Sequence, residues 1–413
     1  VEHAEHSRAP VQRLADRMAG YLVYLALAAA TLTFFVTRDI RSTISVVIVA
    51  GACGIAAGTP LAILGGIGRA ARLGAIIKGG VHLEVLGRVN TVVLDKTGTL
   101  TFGRPEVQAV IPAGISETAL LELAGMAELR SEHPLAKAIV TRASAAGCML
   151  KEPERFQSTP GRGITAVADN ATIMAGSRAL MNAHGVAIPR DFSQEGASEV
   201  FVARDGQYVG AVLIADTLRP EAVRAIQSLH RMKIRTVLLT GDIASVARAI
   251  AHRLGIMNIE AELLPEAKLA RVKELVAAGR SVAMVGDGIN DAPALAAASV
   301  GVAMGSGTDV ARESADVVLL GNDLGKFADT VAIARRTRRI IWWNFAGTIA
   351  VDSAGIGLAS VGLLDPTLAA FIHVASEMTF ILNSARLLPR RAGTANKSGI
   401  DHESPDKLSK QAA

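Results

Sequence analysis

Cysteine is nearly missing from this chain, with Cys53 and Cys148 the only two in 413 residues. That scarcity excludes a disulfide scaffold and fits a reducing compartment for any part that lies in water. Aromatic side chains are also few, at 4%, and the net charge is only +5. A balance so small over this length gives no case for nucleic acid as a partner. Two tripeptides whose absence matters below, Thr-Gly-Glu and Cys-Pro-Cys, occur nowhere.

Apolar residues, by contrast, make up 50%, and the mean hydropathy is +0.35. They are unevenly spread. Residues 18–37 carry no charged side chain, and after Arg38, Asp39 and Arg41 a second uncharged run extends from Ser42 to Gly68. A later pair covers 340–364 and 366–385. Each is close to or beyond the roughly 20 residues needed to cross a bilayer. Arg69, Arg72 and Lys78, then Arg335, Arg336, Arg338 and Arg339, then Arg386, Arg390 and Arg391 flank these runs on one side, which the positive-inside tendency makes cytoplasmic. The lengths and flanks predict four transmembrane helices rather than four core helices of a water-soluble protein.

Between the pairs, short runs such as "TVVLD", "RTVLLTGD" and "SVAMVGD" alternate with Ala-rich helical patterns, as in 218–230 and 265–278. That alternation predicts βαβ units and a parallel sheet. Residues 109–212 read differently, with a helical start and then short alternating strands around an Asp-Gly hairpin signal at 205–206. They predict a second, α+β domain inserted into the first. The expected organisation is a cytoplasmic lead-in over 1–17, a helix pair over 18–68, an α/β domain over 69–108 and 213–330 interrupted by 109–212, a second helix pair with its flanks over 331–391, and a disordered polar tail over 392–413.

Three motifs end apolar runs in order: "DKTGT" at 95–99, "TGD" at 240–242 and "GDGIND" at 286–291. Strand ends of an open α/β sheet converge on one edge, where such folds keep their sites. Charge is costly to bury unless used or paired, so Asp95, at the tip of a buried run, reads as a nucleophile that forms an aspartyl-phosphate. Lys96 and Thr97 follow it. Thr240 and the amide of Gly241 are placed to hold phosphoryl oxygens, with Asp242 beside them, and Lys268 to neutralise their charge. Asp95, Thr97 and Asp287 are the expected Mg²⁺ site, with Asn290 and Asp291 orienting that shell. A phosphatase of this kind often has an acid two residues after the nucleophile; Thr97 cannot do its work, so the intermediate should persist.

With the full heptapeptide "DKTGTLT" these motifs resemble a P-type ATPase of the haloacid dehalogenase-like superfamily, over about 8–391. "SEHPLAKAI" at 131–139 is similar to the heavy-metal-transporting (type IB) branch. The resemblance implies a HAD-like (Rossmannoid) phosphorylation domain, an inserted nucleotide-binding domain and a multi-pass position in a bacterial inner or plasma membrane. It implies ATP and Mg²⁺, and adenine contacts from Glu132, His133 and Pro134 with Gly161 and Gly163. Ser177 stands where the family usually has Asn. A metallochaperone, or a separate polypeptide carrying an actuator domain, would be the protein partners.

Family alignment places the Cys-Pro-Cys transport motif at 51–53, where this chain has Gly51, Ala52 and Cys53. Losing one thiolate and the proline weakens a copper(I) assignment, since Cu(I) prefers paired sulfur. Cys53, Asp352, His373 and Glu377 mix sulfur, imidazole and carboxylate, which suits Zn²⁺, Co²⁺, Fe²⁺ or Mn²⁺ better. Full-length members also carry an actuator domain whose Thr-Gly-Glu loop positions water for dephosphorylation; without that loop the chain is expected to be a fragment of a larger transporter. The rival expectations are a membrane-tethered phosphatase of the same superfamily and a decayed, non-transporting metal-binding protein.

Overall fold

The computed structural model describes residues 10–51, 53–189, 197–287, 291–305 and 307–388. Two sheets and a group of long apolar helices make up the molecule. The first sheet has seven strands in the order β1 (Ala75–Ile77), β13 (Val317–Leu319), β12 (Val300–Ala303), β11 (Val282–Gly286), β2 (Thr91–Asp95), β9 (Arg235–Leu239) and β10 (Asn258–Glu260). At its centre, β2 (Thr91–Asp95) pairs in parallel with β11 (Val282–Gly286) on one side and β9 (Arg235–Leu239) on the other. Every residue of β2 and of β11 is buried. Covered on both faces, such strands read as unbroken apolar runs rather than alternating ones, which explains "TVVLD" and "VAMVG".

The opposite edge joins this sheet to the apolar helices. Strand β1 (Ala75–Ile77) follows the helix Cys53–Arg72 and pairs antiparallel with β13 (Val317–Leu319), which precedes the helix Leu324–Ser360. One continuous core runs from Ala62, Ile63 and Leu83 through Phe327, Val331 and Ala334 to Leu94 and Val285. A displacement of either helix therefore acts on the sheet through packed side chains.

The second sheet has six antiparallel strands in the order β3 (Thr101–Pro112), β8 (Gln207–Leu218), β7 (Ser198–Arg204), β6 (Ala171–Gly176), β5 (Gly163–Ala168) and β4 (Arg155–Thr159). Helices Glu117–Glu128 and Pro134–Ala145 supply Leu120, Ala124 and Ile139 to the core on one face. The Asp205-Gly206 hairpin is present, with both residues at positive φ (50° and 78°), as its tight turn requires. The inserted unit is wider than 109–212, because β3 (Thr101–Pro112) and β8 (Gln207–Leu218) leave the first domain as one long ladder.

Among the described residues two helices, Arg13–Thr37 and Pro366–Ala385, are long and apolar enough to cross a membrane. The run Ser42–Gly68, read from the sequence as one span, is split into Ile40–Val49 and Cys53–Arg72. Ala50 (φ −83°, ψ 52°) has left helical geometry, whereas Pro60 sits inside the second piece without ending it. The segment expected at 340–364 is the far half of the 37-residue helix Leu324–Ser360, about 55 Å long at 1.5 Å per residue.

Candidate active site and membrane site

Asp95 ends β2, Thr240 directly follows β9, and Asp287 directly follows β11, so three neighbouring parallel strands deliver their motifs to one edge. Lys268, on the helix Pro265–Ala277, donates to Asp95 Oδ1 and, at 3.2 Å, to Asp291 Oδ1. Asp95 and Asp291 are 5% and 3% exposed, and Lys268 is 8% exposed. Burial, the neighbouring Asp291 and then Asp287 push Asp95 up to about 7, against the opposing pull of Lys268. Asp287 is lifted to about 6 by burial and by Asp291. Burial alone would lower Lys268, but Asp95 and Asp291 outweigh it and hold the ammonium above its ordinary value.

Oxygens of Asp95, Asp287 and Asp291 lie within 4.8 Å of one another, the one such group of three acidic, His or Cys side chains among the described residues. Three hard oxygen donors converging beside a single ammonium fit Mg²⁺. The repulsion that adds to burial in raising Asp95 and Asp287 is what a divalent cation would relieve.

Local geometry explains the glycine of "DKTGT". Gly98 has φ +70°, and a β-carbon there would overlap Asp287, coming within 2.8 Å of Oδ1 and closer still to Oδ2. Glycine supplies both the left-handed turn and the close approach. Lys96 is buried and ion-paired to Asp242, joining the first motif to the second. Thr97 is exposed and lines a cavity of about 290 Å³ with Lys96, Asp242 and His133. Thr240 is 1% exposed; its hydroxyl accepts from the Asp242 N–H at 3.1 Å. Asn290 lies outside the described residues.

His133, Gly161, Gly163 and Ser177 line a second cavity of about 310 Å³. His133 borders both cavities, and Pro134 borders the one beside Lys96 and Thr97. Together they reach from the inserted domain to Lys96 and Thr97, the two residues that follow Asp95. His133 also caps its helix, Nδ1 accepting from the Leu135 N–H at 3.2 Å. Glu132 is exposed on the adjoining loop and does not line the cavity. The hydroxyl of Ser177 is buried with no partner among the described residues, leaving it free for a ligand.

Three residues escaped the sequence reading. Glu128, 7% exposed, lines the 310 Å³ cavity, and burial pushes its carboxyl up to about 7. Arg219, 3% exposed, donates to the Gly98 carbonyl at 2.9 Å and stacks on Phe102. Asp216 accepts from Thr101 Oγ1 and from the Gly103 and Arg104 N–H groups, both at 3.1 Å. The last two fasten the turn after Asp95 to the paired strands leading into the inserted domain. No motif spacing marks them, since each acts across more than 110 positions.

Among the apolar helices, Asp352 is 2% exposed, and its Oδ2 has no partner among the described residues. His373 Nε2 lies 4.0 Å from Glu377 Oε2, one turn along, while its Nδ1 is buried without a partner among those residues. The His373 ring rests on Gly51 at the helix break: a β-carbon at 51 would overlap it, 2.6 Å from Nδ1 and 2.7 Å from Nε2. The side chain of Cys53 lies outside the described residues. Asn344 bonds Ser384 Oγ at 2.8 Å and the Phe380 carbonyl at 3.1 Å, and Ser384 donates to the Gly58 carbonyl at 2.8 Å, locking three helices together.

The family model of haloacid dehalogenase-like hydrolases matches residues 89–299, so the chain belongs to that family. Within it, the chain is a member of the heavy-metal P-type ATPases. It is 40% identical to the copper-exporting P-type ATPase of Bacillus subtilis (strain 168), over 94% of this chain and 50% of that protein. It is 39% identical to the manganese-exporting P-type ATPase of Mycobacterium leprae (strain TN), over 95% and 55%. A crystal structure of a zinc-transporting PIB-type ATPase in the E2.Pi state matches with TM-score 0.76 at 36% identity, covering 94% of this chain and 66% of that one. The chain thus spans about half the length of the curated relatives it matches.

Proposed function

We propose that this chain takes the γ-phosphoryl group of ATP onto Asp95 and uses that step to drive a divalent transition-metal ion through the apolar helices. The observation that carries the first half is Asp95 bonded to Lys268 within the Asp287–Asp291 cluster. The carboxylate of Asp95 attacks the γ-phosphorus, the bond to the bridging oxygen breaks, and ADP departs. Lys268 neutralises the phosphoryl oxygens as the bond forms, and Thr240 with the Gly241 amide binds them; such transfers rest mainly on positioning and charge. Mg²⁺, held by Asp95, Asp287 and Asp291, would supply further neutralisation. Thr97 offers no acid to speed hydrolysis, so the acyl phosphate outlives the transfer. The base and orientation of the nucleotide fall to the cavity shared by His133, Gly163, Ser177 and Glu128.

The ion reading rests on chemistry. His373 with Glu377, and buried Asp352, offer nitrogen and oxygen, while Cys53 alone offers sulfur. Borderline divalent ions accept that mixture and Cu(I) does not favour it. The relatives' names divide among copper, manganese and zinc, so the divalent reading is supported by the ligand set and not by those names. Labelling the full chain with radioactive ATP across Zn²⁺, Co²⁺, Fe²⁺, Mn²⁺ and Cu⁺ tests this. One divalent ion should raise the acid-stable label and Cu⁺ should not. Rapid turnover of p-nitrophenyl phosphate without an initial burst would instead identify a phosphatase.

A further inference from the structure

The helices Cys53–Arg72 and Pro366–Ala385 end beside the middle of the helix Leu324–Ser360, and arginines of all three stretches share walls. A cavity of about 730 Å³ is lined by Arg69, Arg72, Arg336 and Arg386 together with Leu382 and Leu388. A second of about 730 Å³ adds Arg231, Lys233, Arg335 and Arg339 while keeping Arg336 and Arg386. The two therefore form one basic trough assembled from four distant stretches of chain. A topological bias toward positive charge asks only for arginines near helix ends; it does not ask them to converge on a common hollow.

No acidic side chain lines either cavity. Arg69, Arg336 and Arg339 have no ion-pair partner among the described residues. Arg335 donates to the Met232 and Val89 carbonyls, and Arg386 donates to Asn383 Oδ1 at 3.1 Å, all neutral acceptors. Arg69, Arg336 and Arg339, gathered among neutral acceptors, favour an anion between them, and guanidinium groups bind phosphate in a bidentate manner.

A separate observation sets the level. Trp342 and Trp343, 44% and 69% exposed, stand one turn beyond Arg339 on the same helix. Exposed tryptophans of this kind mark the headgroup region of a bilayer. Leu382 and Leu388, 60% and 44% exposed, place apolar surface against the arginines.

We propose that the trough is a binding site for the phosphate headgroup of an anionic glycerophospholipid from the cytoplasmic leaflet, its acyl chains lying along Leu382 and Leu388. The inference rests on the membrane reading of the apolar helices, which vesicle flotation tests separately. Native mass spectrometry of the delipidated full chain, offered phosphatidylglycerol and phosphatidylcholine in equal amounts, tests the site itself. The phosphatidylglycerol adduct should be favoured by roughly tenfold or more, given about one unit of attraction per basic residue near the surface. Arg336→Gln with Arg386→Gln should remove most of that preference, while Lys151→Gln, on the inserted domain, should leave it intact. If the double variant does not fold, Arg336→Lys with Arg386→Lys retains charge but not the bidentate fork and should weaken the preference. Equal retention of both lipids overturns the proposal. So does a preference untouched by both arginine variants, or glycerol 3-phosphate held as firmly as the lipid. A chain that floats with vesicles yet shows no lipid preference leaves the membrane reading standing and removes the site.

Discussion

At position 98 one methyl group separates an assembled carboxylate cluster from a blocked one. Gly98→Ala would cost about 1–2 kcal/mol for the left-handed backbone alone, and the new β-carbon would push Asp287 away from Asp95 and Asp291. Phosphoenzyme formation should fall about a hundredfold or more, as when one electrostatic contact to a transferring group is removed, and the apparent Mg²⁺ affinity should fall with it. Single-turnover labelling over a Mg²⁺ series measures both. Glu128 carries the second prediction at this scale. Its carboxyl titrates near 7 in the folded protein against an ordinary 4.5, so the folded state holds a proton that the unfolded state releases. Stability is therefore fully present below about pH 4.5 and declines as pH rises toward 7, by roughly 3 kcal/mol at 1.36 kcal/mol per pH unit. Glu128→Gln should abolish that component, which a comparison of denaturation midpoints at pH 5 and pH 7.5 will reveal.

Among elements, the broken helix around Ala50 and Gly51 has the most direct bearing on the proposed ion site. Unbroken hydropathy from Ser42 to Gly68 made the run look like a single uninterrupted span. The interruption comes where the His373 ring is seated on Gly51. Gly51→Ala should displace that ring, cost about 1–3 kcal/mol by overpacking, and erase the metal-dependent increment in labelling while leaving Asp95 chemistry intact. Labelling with and without the stimulating ion distinguishes this from general unfolding, in which both would vanish. Asp95, Thr240 and Asp287 stood out as candidates in the sequence because strand-end carboxylates and small turn residues are local signals. Arg219, Asp216 and Glu128 stayed hidden because their partners meet them only through tertiary structure. The inserted domain was legible in kind, but its edges were not, since β3 and β8 continue the chain outward without a change in composition.

For the whole molecule, the edge pair of β1 and β13 matters most, because it joins the phosphorylation sheet to the helices on either side of it. One packed core, rather than a flexible linker, lies between the strand that ends in Asp95 and those helices. All of this depends on one covalent event. The most direct test is acid-stable labelling of the full chain with ATP radioactive in its γ-phosphate, in the presence of Mg²⁺, with Asp95→Asn beside the unaltered protein. The account predicts a label approaching one per chain in the protein with Asp95, dependent on Mg²⁺ and absent from the variant. An equal label in Asp95→Asn, or none in the unaltered chain under any metal, would contradict it.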